Sequence, residues 1–393
     1  MRDMVEIGMG RTARRTYELN DINIVPSRRT RSSKDVSTGW QLDAYRFDIP
    51  VVTHPTDALV SPEFAIEMGR LGGLGVLNGE GLIGRHADVE AKIAQVIEIA
   101  EKERGPDPGA PRSCPAAPSA AIRLLQQLHS APLNPDLLGA AIARIRDAGV
   151  TTAVRVSPQN AQTLTPSLVA AGIDLLVIQG TIISAERVAQ DHGVGEPLNL
   201  KTFIANLDVP VVAGGVLDHR TALHLMRTGA AGVIVGYGST SGVTTNDEVL
   251  GISVPMATAI ADAAAARREY LDETGGRYVH VLADGDIHTS GELAKAIACG
   301  ADAVLLGTPL TVAAEALGDG WFWPSAAAHP SLPRGALMQI ATGERPALQQ
   351  VLNGPSDDPF GSLNLVGGLR RAMAKAGYCD LKEFQKVGLA VRS

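Results

Sequence analysis

Two acidic residues and two glycines lie where the chain could bind hydroxyl groups or an anion. Asp284-Gly285-Asp286 follows the apolar run Tyr278 to Leu282, and Gly307-Thr308 follows the apolar run Ala303 to Leu306. A carboxylate such as that of Asp284 can accept hydrogen bonds from two neighbouring hydroxyls at once. Glycine lets backbone N–H groups approach an anion closely. An Asp-Gly pair also forms ordinary turns, but its position at a predicted strand end favours a site.

Hydroxyl groups and one arginine mark two further segments. Ser239, Thr240, Ser241 and Thr244 cluster between Gly236 and Thr245, a composition that is also typical of a plain loop. Arg334 stands in the loop sequence Pro333-Arg334-Gly335, where a guanidinium could stabilise negative charge, activate water indirectly or hold a substrate anion. A loop arginine that is merely solvated is the common alternative.

The elements that must position these residues alternate between short apolar runs and helical patterns. This alternation is typical of a parallel α/β fold, and eight strands favour a closed (β/α)8 TIM barrel over an open doubly wound sheet. In such barrels, active sites lie at the carboxyl ends of the strands, and the loops after the seventh and eighth strands commonly bind phosphate. The predicted strands are Val51 to His54, Gly75 to Leu77, Thr152 to Val156, Leu175 to Ile178, Val209 to Ala213, Gly232 to Val235, Tyr278 to Leu282 and Ala303 to Leu306.

The chain is long enough for one large domain or two smaller ones, and the strand count favours a single barrel domain over residues 1–393.

Two irregular segments interrupt the pattern. Residues 104–134 contain six prolines, with Pro135 following directly, and are predicted to form a long loop with one short helix. Residues 318–346 are predicted to be either an active-site lid or a disordered loop. The aromatic run Trp321-Phe322-Trp323 favours the lid, because disordered segments are poor in aromatic residues.

Composition excludes several classes of function. With 35 basic and 42 acidic residues, the net charge is −7, which gives no general attraction to nucleic acid or to an anionic membrane. Cys114, Cys299 and Cys379 are few, far apart and without metal-ligand spacing, so reduced thiols in a cytoplasmic protein without a bound metal are expected. No signal-peptide pattern and no apolar run of about 18 residues is present.

The order and spacing of the motifs resemble the IMP dehydrogenase/GMP reductase family across nearly the whole chain. The matching segments are Tyr17 to Pro26, Ile49 to Asp57, Gly72 to Asn78, Val235 to Thr245, Tyr278 to Asp286, Ala301 to Pro309 and Gly367 to Met373. Many family members carry inserted regulatory domains at the position of residues 104–134, and there is no room for them here. The resemblance implies an oxidoreductase of purine nucleotides that uses NAD or NADP, with a monovalent cation as a further option. It also implies a homo-oligomer, commonly a tetramer.

By this resemblance, Asp284 would accept hydrogen bonds from ribose hydroxyls, and neighbouring backbone would surround the 5′ substituent. Thr245 matches the threonine that helps activate water or ammonia, and Arg334 falls in the mobile flap. The other substrate positions are Gly285, Asp286, Gly307, Thr308, Ser241 and Thr56, and the cofactor positions are Gln179, Gly180, Thr181, Gly236 and Gly238.

Several of these positions depart from the family pattern. Val243 stands where the family's dehydrogenases and reductases carry the cysteine that adds to C2 of the purine, and no cysteine lies between Cys114 and Cys299. Asp286 replaces a glycine, and its carboxylate would repel a phosphate by on the order of 4 kcal/mol at 4 Å and an effective dielectric constant of 20. Asp286 could instead face solvent or cap the next helix.

Further departures affect the expected ligand contacts. Gln179 replaces an aspartate that meets the nicotinamide ribose, although its amide can still bond a hydroxyl. Thr56 replaces a methionine, Arg334 a glutamate or glutamine, and residues 323–326 a Gly-Met pair.

Two functions therefore remain open. The first is hydride chemistry on a purine nucleoside or nucleotide, at the sugar or at the base, without a cysteine adduct. The second is a catalytically silent paralogue that binds nucleotide and acts by association or regulation. The expected partners are a small purine ligand and further copies of the chain.

Overall fold

A parallel β-barrel forms the centre of the protein. The computed structural model describes residues 4–104, 119–180, 198–238, 250–285, 287–329 and 336–392. Its eight barrel strands are β1 (Val51–Thr53), β2 (Val76–Asn78), β3 (Ala153–Val156), β4 (Leu175–Gln179), β5 (Val211–Val216), β6 (Gly232–Gly236), β7 (His280–Asp284) and β8 (Ala303–Leu306). Neighbours pair in parallel in the order β1-β8-β7-β6-β5-β4-β3-β2.

The sheet closes between its two outermost strands. Val52 in β1 pairs in parallel with Leu74, just before β2. The N–H of Thr53 donates to the carbonyl of Leu74 at 2.9 Å, and the N–H of Leu74 donates to the carbonyl of Val51 at 3.0 Å. These contacts complete the ring, so the predicted (β/α)8 TIM barrel is confirmed.

The strand sequences explain why the barrel forms. Every residue of β4 and of β7 is buried, as expected for parallel strands that are covered on both faces. Val52, Leu175, Val212 and Leu282 point into the centre, where branched side chains fill the interior. A hairpin of Trp40–Leu42 and Tyr45–Phe47 covers the amino-terminal end of the barrel, with Leu42 fully buried against Gly232.

Helices surround the barrel and return the chain to its amino-terminal end. Ser61, Asn199, Asp218 and Thr289 each accept a hydrogen bond from a first-turn N–H group, so polar caps start the helices that follow. The described α-helices are Pro62–Arg70, Val89–Arg104, Ala120–His129, Pro135–Asp147, Ala161–Ala171, Leu200–Ala205, His219–Met226, Met256–Thr274, Ser290–Cys299, Thr308–Thr311, Leu348–Asn353, Leu365–Lys375 and Leu381–Phe384.

The two irregular segments pack together beside the barrel. Trp321–Phe322 pairs with Met338–Gln339 as a two-stranded antiparallel sheet, and Trp321, Phe322 and Trp323 form a second apolar cluster with the helices Val89–Arg104 and Ala120–His129. Nε2 of His129 lies 3.0 Å from the Asp57 carboxylate, which ties one of these helices to the segment after β1. Residues 105–118 and 330–335 lie outside the described residues, so the predicted domain and flap limits stay predictions.

Two further short antiparallel strand pairs lie outside the barrel. Met4–Gly8 and Arg11–Arg14 form a hairpin at the amino terminus, and Ile22–Ile24 pairs antiparallel with Leu389–Val391. None of the described helices has the length and apolar character needed to cross a membrane.

A buried ionic cluster lies at the amino-terminal ends of β7 and β8. The Asp302 carboxylate bonds Nη1 of Arg267 at 2.8 Å and Nζ of Lys382 at 2.6 Å, and Nδ1 of His280 lies 3.8 Å away. Burial opposes ionisation of Asp302, but the charges of Arg267, Lys382 and His280 outweigh it and lower its pKa to about 2. Burial lowers the pKa of His280 to about 4, although the charge of Asp302 partly opposes that shift.

Candidate functional site

The carboxyl ends of β4, β6 and β7 bring three of the predicted site residues together. Gln179 is the last residue of β4, Gly236 the last of β6 and Asp284 the last of β7. Gly236 pairs in register with Asp284. A Cβ atom at Gly236 would lie 2.1 Å from the carbonyl oxygen of Asp284, so only glycine allows the strands to end this closely.

The Asp284 carboxylate is the centre of the arrangement. It is only 1% exposed. The amide Nε2 of Gln179 donates to Oδ2 at 2.6 Å. Nδ1 of His54 lies 3.2 Å from Oδ1 and 3.1 Å from Oδ2. A carboxylate accepts about four hydrogen bonds, so acceptor capacity remains for a ligand.

Gln179 has a free acceptor at the same place. Its Oε1 is buried and has no hydrogen-bond partner among the described residues, while Nη2 of Arg155 donates to its backbone carbonyl at 2.7 Å. A buried amide oxygen that lacks a donor is costly, at about 1–3 kcal/mol. A ligand hydroxyl or amide that donates to Oε1 would remove that cost.

His54 was not predicted as a site residue, although it lies in direct contact with Asp284. Its ring packs against Gly238, where a Cβ atom would lie 3.1 Å from Cε1 of the ring. The N–H of Gly238 donates to the carbonyl of Asp284 at 3.0 Å, and the N–H of His54 donates to the carbonyl of Leu306 at 2.9 Å. The backbone on both sides therefore fixes the ring, whose side chain is 13% exposed. In the sequence, a single histidine beside a proline gave no signal of this role.

A second polar cluster, formed by Glu80, Arg155 and Ser157, supports Gln179. Nη1 of Arg155 lies 3.0 Å from Oε2 of Glu80, and Glu80 also accepts from the N–H of Ser157 at 2.9 Å and from its hydroxyl at 2.8 Å. Burial lowers the pKa of Arg155, and the charges of Glu80 and Asp57 partly oppose that shift. In the sequence, Arg155 is a charged residue inside the apolar run Thr152 to Val156. This signal of a buried ion pair was not used in the sequence analysis.

The loop after β8 lies against the aromatic segment. Thr308 begins a single helical turn, and its Oγ1 lies 3.3 Å from Nδ1 of His288. A Cβ atom at Gly307 would lie 3.1 Å from the ring of Phe322 and 3.4 Å from Cβ of His54. Gly307 and Thr308 thus border His54, and the phosphate role expected for them stays a prediction.

The remaining predicted positions have mainly internal contacts. The hydroxyl of Thr56 is fully buried and donates to the carbonyl of Trp323 at 2.5 Å. The N–H of Gly180 donates to the carbonyl of Gly214 at 2.9 Å, and Gly285 packs on the side chain of Met256. Thr181, Ser241, Val243, Thr245, Asp286 and Arg334 lie outside the described residues.

Cys299 does not supply a nucleophile at these strand ends. Cys299 ends the helix Ser290–Cys299, and burial raises the pKa of its thiol to about 12, so it is a neutral thiol at physiological pH. Among the described residues, no group of three or more His, Cys, Asp or Glu side chains could hold a metal ion.

Comparison with known proteins assigns this arrangement to a family. The model of the IMP dehydrogenase / GMP reductase domain matches residues 16–335, which contain all eight barrel strands and both strand ends that hold Asp284 and Gln179. The chain belongs to the IMP dehydrogenase/GMP reductase family. The family resemblance seen in the sequence is therefore confirmed.

Relatives within this family differ in how much of their length matches. A protein of Mycolicibacterium smegmatis named as an uncharacterized oxidoreductase is 86% identical over 99% of this chain and 100% of its own. An IMP dehydrogenase/GMP reductase-like protein from Corynebacterium glutamicum, solved by crystallography, is 58% identical with a TM-score of 0.90 over 99% of this chain and 98% of its own. The IMP dehydrogenase of Aquifex aeolicus is 32% identical over 58% of this chain and 46% of its own.

Proposed function

We propose that this member of the IMP dehydrogenase/GMP reductase family is a nicotinamide-dependent oxidoreductase that acts on a purine nucleoside or nucleotide without a cysteine adduct. The observation that carries the proposal is the buried Asp284 carboxylate at the end of β7, held by Gln179 and His54. A fixed carboxylate with spare acceptor capacity suits the vicinal hydroxyls of a ribose.

The residues present fit a nicotinamide nucleotide next to that ribose site. The unpaired Oε1 of Gln179 can accept from a ribose hydroxyl or a carboxamide N–H of the cofactor. Gly236 and Gly238 at the end of β6 lie directly against Asp284 and His54 and add no side chain of their own there. The cofactor supplies a hydride acceptor or donor, while the protein binds both ligands and excludes water between them.

The absence of a nucleophile supports a route other than the family's covalent one. Val243 cannot add to a purine carbon, and Cys299 is a half-buried neutral thiol on an outer helix. A covalent step needs a nucleophile that is activated by deprotonation or by an adjacent base. In this route, hydride passes from the substrate carbon to the cofactor without a covalent intermediate between the substrate and a cysteine.

Of these two substrate forms, the proposal favours a nucleoside without a 5′-phosphate, because by the family resemblance Asp286 replaces a glycine whose bare backbone would meet that group. A free nucleoside should bind more tightly than its monophosphate, and Asp286→Gly should reverse the preference by recreating an anion site. A wild-type preference for the monophosphate of about tenfold, or about 1.4 kcal/mol, would contradict this part of the proposal.

The test is direct assay of the purified protein. Mass spectrometry of the denatured protein should detect co-purified NAD(H) or NADP(H), and adenosine, inosine or guanosine with NAD or NADP should change absorbance at the wavelength of the reduced nicotinamide. Asp284→Asn should abolish the change, while Asp174→Asn, just before β4 at the opposite end of the barrel, should not. Nucleoside binding without any turnover would instead support a regulatory paralogue.

A further inference from the structure

The pair formed by His54 and Asp284 has the geometry of a general base and the carboxylate that orients it. Nδ1 of His54 lies 3.1 Å from Oδ2 of Asp284, and the carboxylate side chain is only 2% exposed. A buried carboxylate on Nδ1 places the proton on that nitrogen and leaves Nε2 as the proton acceptor.

The surroundings of His54 hold its ring in this orientation. Gly238 lies against one part of the ring, with a Cβ position 3.5 Å from Nε2, and Gly307 lies against its Cβ atom. The ring is therefore positioned by two loops that follow barrel strands, at the end of the barrel where such enzymes carry their catalytic residues. Among the described residues, Asp284 is the ionisable side chain that forms an ion pair with His54.

The position of His54 beside the predicted ribose site indicates which bond the base could act on. In the proposed function, the same Asp284 carboxylate receives the ribose hydroxyls, so a bound ribose lies within reach of the neighbouring imidazole. A base beside a hydroxyl can remove its proton as the carbon is oxidised. A purine C–H bond has no acidic proton to give, so oxidation of the base would instead need an added water for His54 to deprotonate.

We infer that His54 is a catalytic base for oxidation of a secondary alcohol on the ribose of a purine nucleoside. The hydroxyl O–H bond breaks and its proton passes to Nε2 of His54. The C–H bond on the same carbon breaks, its electron pair leaves as hydride, and a C=O bond forms. The carbon is oxidised, and a nicotinamide nucleotide is the oxidant that is reduced. The inference rests on the proposed function, because it requires hydride transfer from a bound nucleoside.

Isotope labelling tests which carbon is oxidised. Inosine labelled with deuterium at C2′, at C3′ or at C2 of the base is incubated with NAD and the wild-type protein, and the NADH is analysed by mass spectrometry. Deuterium should enter NADH from C2′ or C3′ and not from C2. Transfer from base C2 would leave the proposed function intact and overturn the inference, whereas no reduced cofactor with any purine nucleoside would overturn both.

Binding measurements test His54 without turnover. By calorimetry, either 2′-deoxyinosine or 3′-deoxyinosine should bind the wild type roughly tenfold more weakly than inosine, the effect of one hydrogen bond of about 1.4 kcal/mol. In His54→Phe, which keeps a ring of similar size, that difference should become smaller, and only the part that comes from Asp284 should remain. An unchanged difference would show that His54 does not contact the sugar.

A second variant separates proton transfer from positioning. His54→Gln keeps a side-chain donor toward Asp284 but has no group that accepts a proton. It should bind inosine within about threefold of the wild type, lose more than a hundredfold in kcat, in the range of general-base catalysis, and lose the acidic limb of the pH profile of kcat. Retained kcat with an unchanged pH profile would overturn the inference.

Discussion

Nε2 of Gln179 lies 2.6 Å from Oδ2 of Asp284, although the two residues are 105 positions apart in the chain. The family resemblance predicted Gln179 in the cofactor site and Asp284 in the ribose site. Their hydrogen bond shows that these two predicted sites are in direct contact. A ligand that binds either side chain therefore also contacts the hydrogen-bonded network of the other.

Replacing Asp284 by alanine should weaken nucleoside binding by about 1.5–3 kcal/mol, the usual contribution of a hydrogen bond to a charged group. The physical reason is the loss of an acceptor that is buried and held in place by Gln179 and His54. Calorimetric titration with inosine measures the change, with Asp174→Ala as the control at the far end of the barrel. Equal affinities for the wild type and Asp284→Ala would remove this residue from the site.

Gln179→Glu should make stability strongly dependent on pH. It would place a second carboxylate in hydrogen-bond contact with Asp284, and two like charges about 4 Å apart repel by about 4 kcal/mol at an effective dielectric constant of 20. A shared proton relieves the repulsion at low pH. The stability deficit relative to wild type should therefore be small at pH 5 and large at pH 8.

Thermal unfolding at both pH values measures this effect, with Gln179→Met as the control that removes the hydrogen bond without adding charge. A deficit that is the same at pH 5 and pH 8 in Gln179→Glu would mean that the two side chains separate freely.

The unfolding free energy should fall between about pH 6.5 and pH 4 because of His280. Burial lowers the pKa of His280 from 6.5 to about 4, so in this window the unfolded chain binds a proton that the folded chain does not. Stability is then fully present above pH 6.5 and is lost as the pH falls toward 4. The loss from this residue amounts to about 3 kcal/mol. His280→Phe, which keeps the aromatic contacts with Trp40 and Tyr278, should flatten the curve in urea titrations, and an unchanged slope would argue against this assignment.

Thr56→Val should destabilise the aromatic segment. The substitution removes the buried hydroxyl that donates to the carbonyl of Trp323 and leaves that carbonyl without this partner, at a cost of about 1–3 kcal/mol. Thr56→Ser keeps the hydroxyl and should lose less. Thermal unfolding ranks the two variants, and the prediction fails should valine and serine prove equal.

Oxidation of IMP to XMP should be very slow or absent, because Val243 stands in place of the nucleophile on which the covalent route depends. The assay is NADH formation with IMP at saturating NAD. Turnover near the general enzyme median of about 10 per second would show that another nucleophile is present and would contradict the proposed route.

The sequence predicted the barrel well because its strands are short, apolar and buried on both faces. All eight predicted strands are present, but some limits moved. The fifth strand was predicted to end at Ala213 and continues to Val216, because glycines that resemble a loop in the sequence also fit inside a closely packed strand. The seventh begins at His280, two residues after its predicted start at Tyr278, and the hydroxyl of Tyr278 bonds the buried Asp302 carboxylate just ahead of the strand.

The site was predictable only where a residue type is informative by itself. Asp284 was found because an acidic residue follows an apolar run. His54 was missed because its role depends on a contact across 230 positions of the chain, which no local pattern encodes. Arg155 could have been found, since a charged residue inside a buried strand requires a partner.

The hydrogen-bonded chain from Gln179 through Asp284 to His54 also limits how this protein could change into a more typical family member. An aspartate at position 179 alone would set a second carboxylate beside Asp284, in contact with the residue that also holds His54. Residues in one hydrogen-bonded network do not contribute independently. The effect of a substitution at Gln179, Asp284 or His54 should therefore depend on which residues occupy the other two positions, so that a change at one of them is epistatic with changes at the others.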